Sequence, residues 1–212
     1  LRQAGIEVSS AYDDFVLARV TPKDLRTLAE TEAATSVREL GVARAHNDVA
    51  AGVSGVRLLN NGRLNNTTYK GSGVIVCVID SGIDYTHRDF RGLSDDTKSR
   101  ILYIWDQTLS PQAGEDTPAQ RGDSDLSGFS YGVEYTKSDI EDEIDGSPAG
   151  FVRQQDTDGH GTHVTGTAAG NGGAHPDEKY KGMAPKANII TVKAGNGRFP
   201  FTNVIDGMNY CG

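Results

Sequence analysis

The sequence lacks several features that would place it in a class at once. No apolar run approaches the about 18 residues of a membrane-spanning helix, and no signal peptide is recognisable after Leu1. Basic residues are in deficit, because 21 Lys and Arg face 29 Asp and Glu and leave a net charge of −8. A basic face for nucleic acid is therefore missing, and we expect neither a nucleic-acid partner nor a membrane span.

Cysteine is also scarce, with two residues among 212. Two cysteines do not make a disulfide framework. Cys77 lies inside an apolar run, so we expect an inert buried thiol there, while the sequence leaves the state of Cys211 open. The 36% of hydrophobic and 24% of charged residues are ordinary for a globular protein with room for one good core.

One apolar run ends in a carboxylate. Residues 74–79 are unbroken apolar and mostly β-branched, which is typical of a strand buried on both faces of a parallel sheet. Asp80 follows directly, at the end of the strand where open α/β sheets place their chemistry.

A second stretch, residues 156–170, reads Asp-Thr-Asp-Gly-His-Gly-Thr-His-Val-Thr-Gly-Thr-Ala-Ala-Gly. It predicts a glycine turn that runs into a helix with His160 at its start. A catalytic histidine needs a carboxylate that fixes its tautomer, and Asp80 is the predicted partner. His163 creates an H-x-x-H spacing that invites zinc, but no third ligand follows at a recognisable spacing, so we expect no zinc there.

These motifs together resemble the subtilisin-like serine protease (subtilase) family over residues 69–212. The resemblance rests on Asp-Ser-Gly-Ile-Asp at 80–84, His-Gly-Thr-His-Val-Thr-Gly at 160–166, Gly-Met-Ala-Pro at 182–185 and the strand candidate at 188–193. It implies an α/β fold, a mostly parallel sheet with helices on both faces, that is incomplete at the C-terminal end. Asp80 and His160 would be the Asp and His of an Asp-His-Ser triad in a serine endopeptidase.

The resemblance also implies what surrounds the pair. The serine and the asparagine of the oxyanion hole would lie in a missing C-terminal part, so this chain alone is expected to be inactive. The substrate would be a protein or peptide, bound along Gly195 and Gly197. Asp89 matches a ligand of structural calcium, with a loop-capping aspartate as the alternative, and no cofactor is required for the chemistry. The family resemblance implies a secreted or extracytoplasmic location, and a role for His163 in steadying the helix.

Two other functions compete with this interpretation. A catalytically inactive relative could serve as a binding or regulatory module, but a decayed site would be free to lose Asp80 or His160, and both are present. A nucleotide-binding α/β domain fails on order. Its phosphate loop must follow a strand, whereas the glycines at 71 and 73 precede one.

The predicted organisation has three parts. Residues 1–45 form a propeptide-like segment or N-terminal extension, typical of a zymogen; residues 46–70 form a linker; residues 71–212 form the N-terminal part of the catalytic domain. Predicted elements of the first two parts are a strand at 15–20, a helix from Pro22 to Glu30 capped by Thr21, a second strand at 36–40 and a short helix at 46–51.

An acidic insertion occupies about residues 91–157, where 14 Asp and Glu face 6 Lys and Arg. We expect a solvated surface insertion on the rim of the substrate cleft, with a cation site as the alternative. Within it we predict a strand at 100–106, with Trp105 anchoring the insertion to the core, and an acidic helical turn or two at 138–144. After it, Thr202 is the predicted N-cap of the last helix.

Overall fold

A computed structural model describes residues 5–11, 16–30, 36–37, 51–147 and 149–212. The chain divides into two compact units, Leu1–Ala45 and His46–Gly212. No helix in the described part of the chain is long and apolar enough to cross a membrane.

The first unit contains a hairpin and a helix. Strand β1 (Glu7–Ala11) pairs antiparallel with β2 (Val16–Arg19), and helix α1 spans Pro22–Ala29. Thr21 caps α1 in a capping box, in which the Thr21 amide donates to Asp24 Oδ2 at 2.7 Å and the Asp24 amide donates to Thr21 Oγ1 at 3.3 Å.

The predicted elements of residues 15–51 are confirmed in part. Capped helix α1 and the strand before it are confirmed, whereas β1 was not predicted. Of the predicted strand at 36–40, Ser36 and Val37 are not in a strand and the rest lies outside the described residues. The predicted helix at 46–51 also lies outside them, apart from Ala51, which is helical. A short helix not predicted, α2, spans Val56–Asn60.

The second unit is built on a four-stranded sheet in the order β3-β6-β4-β5. Its strands are β3 (Ile75–Asp80), β4 (Ile101–Asp106), β5 (Val133–Thr136) and β6 (Asn188–Lys193). Strand β6 runs parallel to both β3 and β4, whereas β5 is antiparallel to β4. This arrangement confirms the mostly parallel α/β sheet and aligns the carboxyl ends of three strands.

Strand β3 lies at an edge of this sheet, which corrects one prediction. Val78 and Asp80 are buried, but Val74 and Ile75 remain 52% and 51% exposed. The strand is therefore not buried on both faces along its whole length. An unbroken apolar run fits a central strand and an edge strand equally well, because the sequence does not say which neighbours are present.

Helices cover both faces of β3, as predicted. Helix α4 spans His160–Ala169 and α5 spans Phe201–Cys211, while α3 (Lys137–Asp145) packs on β4 and β5. A Cβ built on Gly161 of α4 would lie 3.2 Å from the Asp80 Cβ, and one on Gly207 of α5 would lie 3.1 Å from Ile79. Since neighbouring residues of a strand point to opposite faces, α4 and α5 lie on opposite faces.

Helix α5 corrects two further predictions. It begins at Phe201 after Pro200, without a side-chain cap, so Thr202 is a helical residue and not the N-cap. Its last residue, Cys211, forms a disulfide with Cys77 of β3, with 6.0 Å between the Cα atoms. Cys77 is therefore no inert free thiol. The two cysteines are 134 residues apart, so only the fold brings them together.

The insertion is fastened to the core. Trp105 is fully buried, donates from its indole nitrogen to the Tyr131 carbonyl at 3.0 Å, and packs against the rings of Phe129, Tyr131 and Tyr210. The predicted strand at 100–106 and helix at 138–144 are confirmed by β4 and α3. The anchoring role of Trp105 is confirmed as well.

The acidic residues of the insertion are only partly solvated, which corrects the prediction of a solvated surface. Glu115 and Glu134 are buried, and Arg153 Nε donates to Glu115 Oε1 at 2.7 Å. Glu143 accepts the amides of Gly150, Phe151 and Val152. Among the described residues, no three Asp, Glu, His or Cys side chains gather as a metal site would require. Several of these carboxylates thus organise the insertion itself.

Candidate active site

The end of β3 and the start of α4 meet at the carboxyl edge of the sheet. His160 Nδ1 lies 2.8 Å from Asp80 Oδ1 and 3.0 Å from Oδ2, although the two residues are 80 positions apart. A carboxylate can only accept, so Nδ1 is the protonated nitrogen and donates this hydrogen bond. The other ring nitrogen is left for a reacting group, and the imidazole is 61% exposed.

Glycines allow this close approach. Gly159 precedes α4 with φ of 82°, a left-handed conformation that lets the chain turn abruptly into the helix. A Cβ on Gly161 would lie 2.2 Å from the Gly82 carbonyl oxygen, which is far inside contact distance. The backbones of the loop after β3 and of α4 therefore touch directly, and this contact sets the distance between Asp80 and His160.

The electrostatics favour a charged imidazole. The hydrogen bond to Asp80 raises the pKa of His160 above its usual value of 6.5, and the negative charges of Asp80, Asp158 and Asp156 act in the same direction. Asp80 itself is buried and accepts the Ser81 amide at 2.7 Å. A carboxylate held in this way orients the ring and stabilises the imidazolium that forms when His160 takes a proton.

Three residues of the site escaped the sequence analysis: Ser81, Asp156 and Thr162. Asp156 accepts hydrogen bonds from both of the others, and these bonds join the loop after β3 to the first turn of α4. All three belong to the two stretches that drew attention to Asp80 and His160. The bond between Ser81 and Asp156, which are 75 positions apart, is visible only in the fold.

Gly195 and Gly197, predicted to bind substrate, lie in the loop between β6 and α5. A Cβ on Gly195 would lie 2.0 Å from the Arg198 carbonyl oxygen, and Gly197 has φ of 71°. The Cβ position of Gly197 is 3.3 Å from Asp158 Oδ2, so this loop adjoins the turn before His160. The structure therefore places Gly197 next to Asp158, two residues before His160, and the role of both glycines stays a prediction.

Asp89, the predicted calcium ligand, lies in a short 3₁₀ helix, Arg88–Phe90. Its Oδ1 accepts the Ala174 amide at 2.8 Å, and its backbone carbonyl accepts the Asn171 amide at 3.0 Å. The carboxylate thus already serves the loop after α4, and it belongs to no cluster of three metal-ligating side chains among the described residues. These contacts are those of the loop-capping alternative, and the role of Asp89 as a calcium ligand stays a prediction. His163, which the family resemblance gave a role in steadying the helix, has an exposed side chain on α4.

Comparison with known proteins places this geometry in a family. A family model described as the subtilase family matches residues 71–211. The PII-type proteinase of Lactococcus lactis subsp. cremoris is 36% identical over 130 residues, which are 61% of this chain and 6% of that protein. Serine protease AprX of Bacillus subtilis (strain 168) is 39% identical over 83 residues, 36% of this chain and 18% of that protein.

A solved structure agrees. The CspB protease of Clostridium perfringens superposes with a TM-score of 0.52 and 29% identity, over 73% of this chain and 27% of that one. This chain therefore spans a small part of the length of the proteins that it matches. Because the family model covers well over half of the residues, the chain belongs to the subtilase family of proteases.

Proposed function

We propose that this chain is a segment of a serine endopeptidase in which Asp80 and His160 are two members of the catalytic triad. The observation that carries the proposal is the hydrogen bond between His160 Nδ1 and Asp80, 2.8 Å long, at the carboxyl edge of the sheet. The serine of the triad would lie in a C-terminal part beyond Gly212, and the substrate would be a protein or peptide.

In this mechanism Nε2 of His160, the nitrogen not bonded to Asp80, takes the proton from the serine hydroxyl as the serine oxygen attacks the peptide carbonyl. The imidazolium then gives that proton to the leaving amine, and the serine is left acylated. Water then attacks the acyl carbonyl and loses a proton to His160. The bond between the acyl carbon and the serine oxygen breaks, the acid is released, and His160 returns the proton to the serine oxygen. Asp80 stays ionised, accepts the hydrogen bond from His160 Nδ1 throughout and stabilises the imidazolium.

Other features support the same assignment. The glycine loop at 195–197 adjoins Asp158 in the turn before His160, where an extended substrate could add as a strand. Disulfides persist in oxidising compartments, so the Cys77–Cys211 bond supports a secreted or extracytoplasmic protein. Residues 1–45 would act as the propeptide of a zymogen. The Asp89 calcium site remains a prediction, and an unchanged melting temperature on calcium chelation would contradict it.

The test compares the isolated chain with the longer gene product that contains it, using a fluorophosphonate that labels activated serines. We expect labelling of the longer protein, its loss in His160→Ala, and none of the isolated 212 residues. Loss of one triad member lowers turnover by about a millionfold. Labelling of the isolated chain would contradict the proposal. Absence of labelling in the longer protein would favour the inactive, regulatory relative.

A further inference from the structure

We propose that Asp156 is the positioning residue that holds the Asp80–His160 pair together. The role deepens the proposed function and rests on it. Asp156 lies four residues before His160 and touches neither side chain of the pair through a hydrogen bond in the described contacts. It would act through the two backbone segments that carry them.

Both oxygens of Asp156 are in use. Oδ1 accepts from Ser81 Oγ at 2.8 Å and from the Gly159 amide at 2.9 Å. Oδ2 accepts from the amide and the hydroxyl of Thr162, at 2.8 and 2.6 Å. Four donors thus converge on one side chain, from Ser81 next to Asp80, from Gly159 just before α4 and from Thr162 in its first turn.

The hydroxyls of Ser81 and Thr162, which donate to Asp156, also accept hydrogen bonds themselves. Ser81 Oγ accepts the Gly161 amide at 2.9 Å, and Thr162 Oγ1 accepts the Asp84 amide at 2.8 Å. Ser81 follows Asp80, and Gly161 follows His160. The network therefore closes across the pair, with each loop bonded to the other through a hydroxyl that Asp156 orients.

Asp156 is itself held against the sheet. The carbonyl of the preceding residue, Gln155, accepts from Nζ of Lys193, a buried cation whose Cα pairs with that of Asp80 in the sheet register. A Cβ on Gly82 would lie 3.3 Å from both the Gln155 oxygen and the Lys193 side chain. The segment before Asp156 is thus packed tightly between the loop after β3 and β6.

Only a carboxylate satisfies this arrangement. Burial alone would raise the pKa of Asp156, but the hydrogen bonds from Thr162, Ser81 and Gly159 outweigh it and hold the pKa below the usual value of 3.8. At neutral pH the group is therefore an acceptor at both oxygens. An asparagine has the same shape, but its amide NH₂ would face either the Gly159 or the Thr162 amide, donor against donor.

The chain offers a matched control in Asp158. It lies in the same turn, is exposed, and its charge also raises the pKa of His160, together with the charges of Asp80 and Asp156. It accepts none of the four hydrogen bonds above. Asp158→Asn therefore removes one nearby negative charge without removing the network, whereas Asp156→Asn removes a charge and breaks it. Thr162→Val removes two bonds of the network, the one from the Thr162 hydroxyl to Asp156 and the one that this hydroxyl accepts from the Asp84 amide, without changing any charge.

The experiment is an NMR titration of the His160 imidazole in the 212-residue chain, with the signal assigned by His160→Gln. We expect Asp156→Asn to lower the His160 pKa more than Asp158→Asn does, and to weaken the downfield signal of the Nδ1 proton. Thr162→Val should change the titration in the same direction as Asp156→Asn. Asp158→Asn should keep the downfield signal.

Equal pKa changes in Asp156→Asn and Asp158→Asn, with the downfield proton kept in both, would overturn the positioning role. If Asp156→Asn does not fold, Thr162→Val and Ser81→Ala decide, and an unaltered His160 signal in both overturns the role. A His160 pKa that does not respond even to Asp80→Asn would overturn the proposed function together with this role. A response to Asp80→Asn alone would overturn only the role of Asp156.

Discussion

At the scale of single residues, two glycines of α4 have opposite surroundings. A Cβ on Gly161 would lie 2.2 Å from the Gly82 carbonyl oxygen, whereas a Cβ on Gly166 would meet nothing within 4 Å. Gly166→Ala should therefore stabilise the chain by up to about 1 kcal/mol, the difference in helix propensity. Gly161→Ala should destabilise it by about 1–3 kcal/mol, as overpacking does, and separate Asp80 from His160.

Urea denaturation followed by circular dichroism measures both changes. The two variants add the same methyl group to the same helix, so each is the control for the other. Similar free energies of unfolding for Gly161→Ala and Gly166→Ala would show that α4 does not approach the loop after β3 as closely as described.

The sequence predicted the pairing of Asp80 with His160, but not the network around Asp156 that holds the two segments together. Asp80 and His160 stand at the end of an apolar strand and the start of a helix, and those positions follow from local pattern. Asp156 owes its importance to Ser81, which is 75 positions away, and no local pattern encodes that distance. Thr202 shows that a local pattern can also mislead. Its type suits an N-cap, but the helix begins one residue earlier, at Phe201 after Pro200, so Thr202 lies inside it.

At the scale of elements, the disulfide fastens the last helix to the first strand of the sheet. Cys211 ends α5 and Cys77 lies in β3, with 134 residues between them. A cross-link over so long a loop restricts the unfolded chain strongly, so replacing both cysteines by alanine should lower the free energy of unfolding by about 2–5 kcal/mol.

Reduction of the unchanged chain should lower its melting temperature similarly, and reduction of the double variant should change nothing. Thiol titration of the denatured, unreduced chain provides a direct check. It should find no free thiol, and two free thiols per chain would contradict the bond.

The helices and strands of the chain were largely predictable from the sequence, but which of them pack against one another was not. The capping residues of α1, the glycine turn before α4 and the β-branched runs of β3 and β6 all act locally, so sequence reveals them. Exposed Val74 and Ile75, the Cys77–Cys211 bond and buried Glu115 depend on which elements pack together. That information arises only when the chain folds.

At the scale of the whole molecule, carboxylates with lowered pKa values make stability depend on pH. Hydrogen bonds from Arg153 lower the pKa of Glu115 to about 2, from an ordinary 4.5. Burial would raise the pKa of Glu143, but three backbone amides outweigh it and lower that pKa too. A lowered pKa gives stability that is present above the unfolded value and is lost as the pH falls through the folded value.

The melting temperature should therefore fall as the pH drops from about 5 towards 2. Glu115→Gln should be less stable at neutral pH and should lose less over this range, since it has no proton to take up at that position. Parallel melting curves for the two chains between pH 5 and 2 would contradict the role of Glu115.

The sign is opposite for His160, whose pKa is raised. Its bond to Asp80 adds stability that is fully present below pH 6.5 and is lost as the pH rises through the folded pKa. His160→Gln should remove this dependence while leaving the acid transition in place. Thermal melting between pH 6 and 9 measures it, and identical slopes in the two chains would refute the contribution.

The pairing of Asp80 with His160 is the claim on which the protease function depends, and ¹⁵N NMR of the ring nitrogens tests it most directly. The unchanged chain should show a His160 pKa above 6.5 and, when neutral, a proton on Nδ1. Asp80→Asn should bring the pKa down and abolish that tautomer preference. A neutral ring protonated on Nε2, titrating alike in both chains, would contradict the pairing.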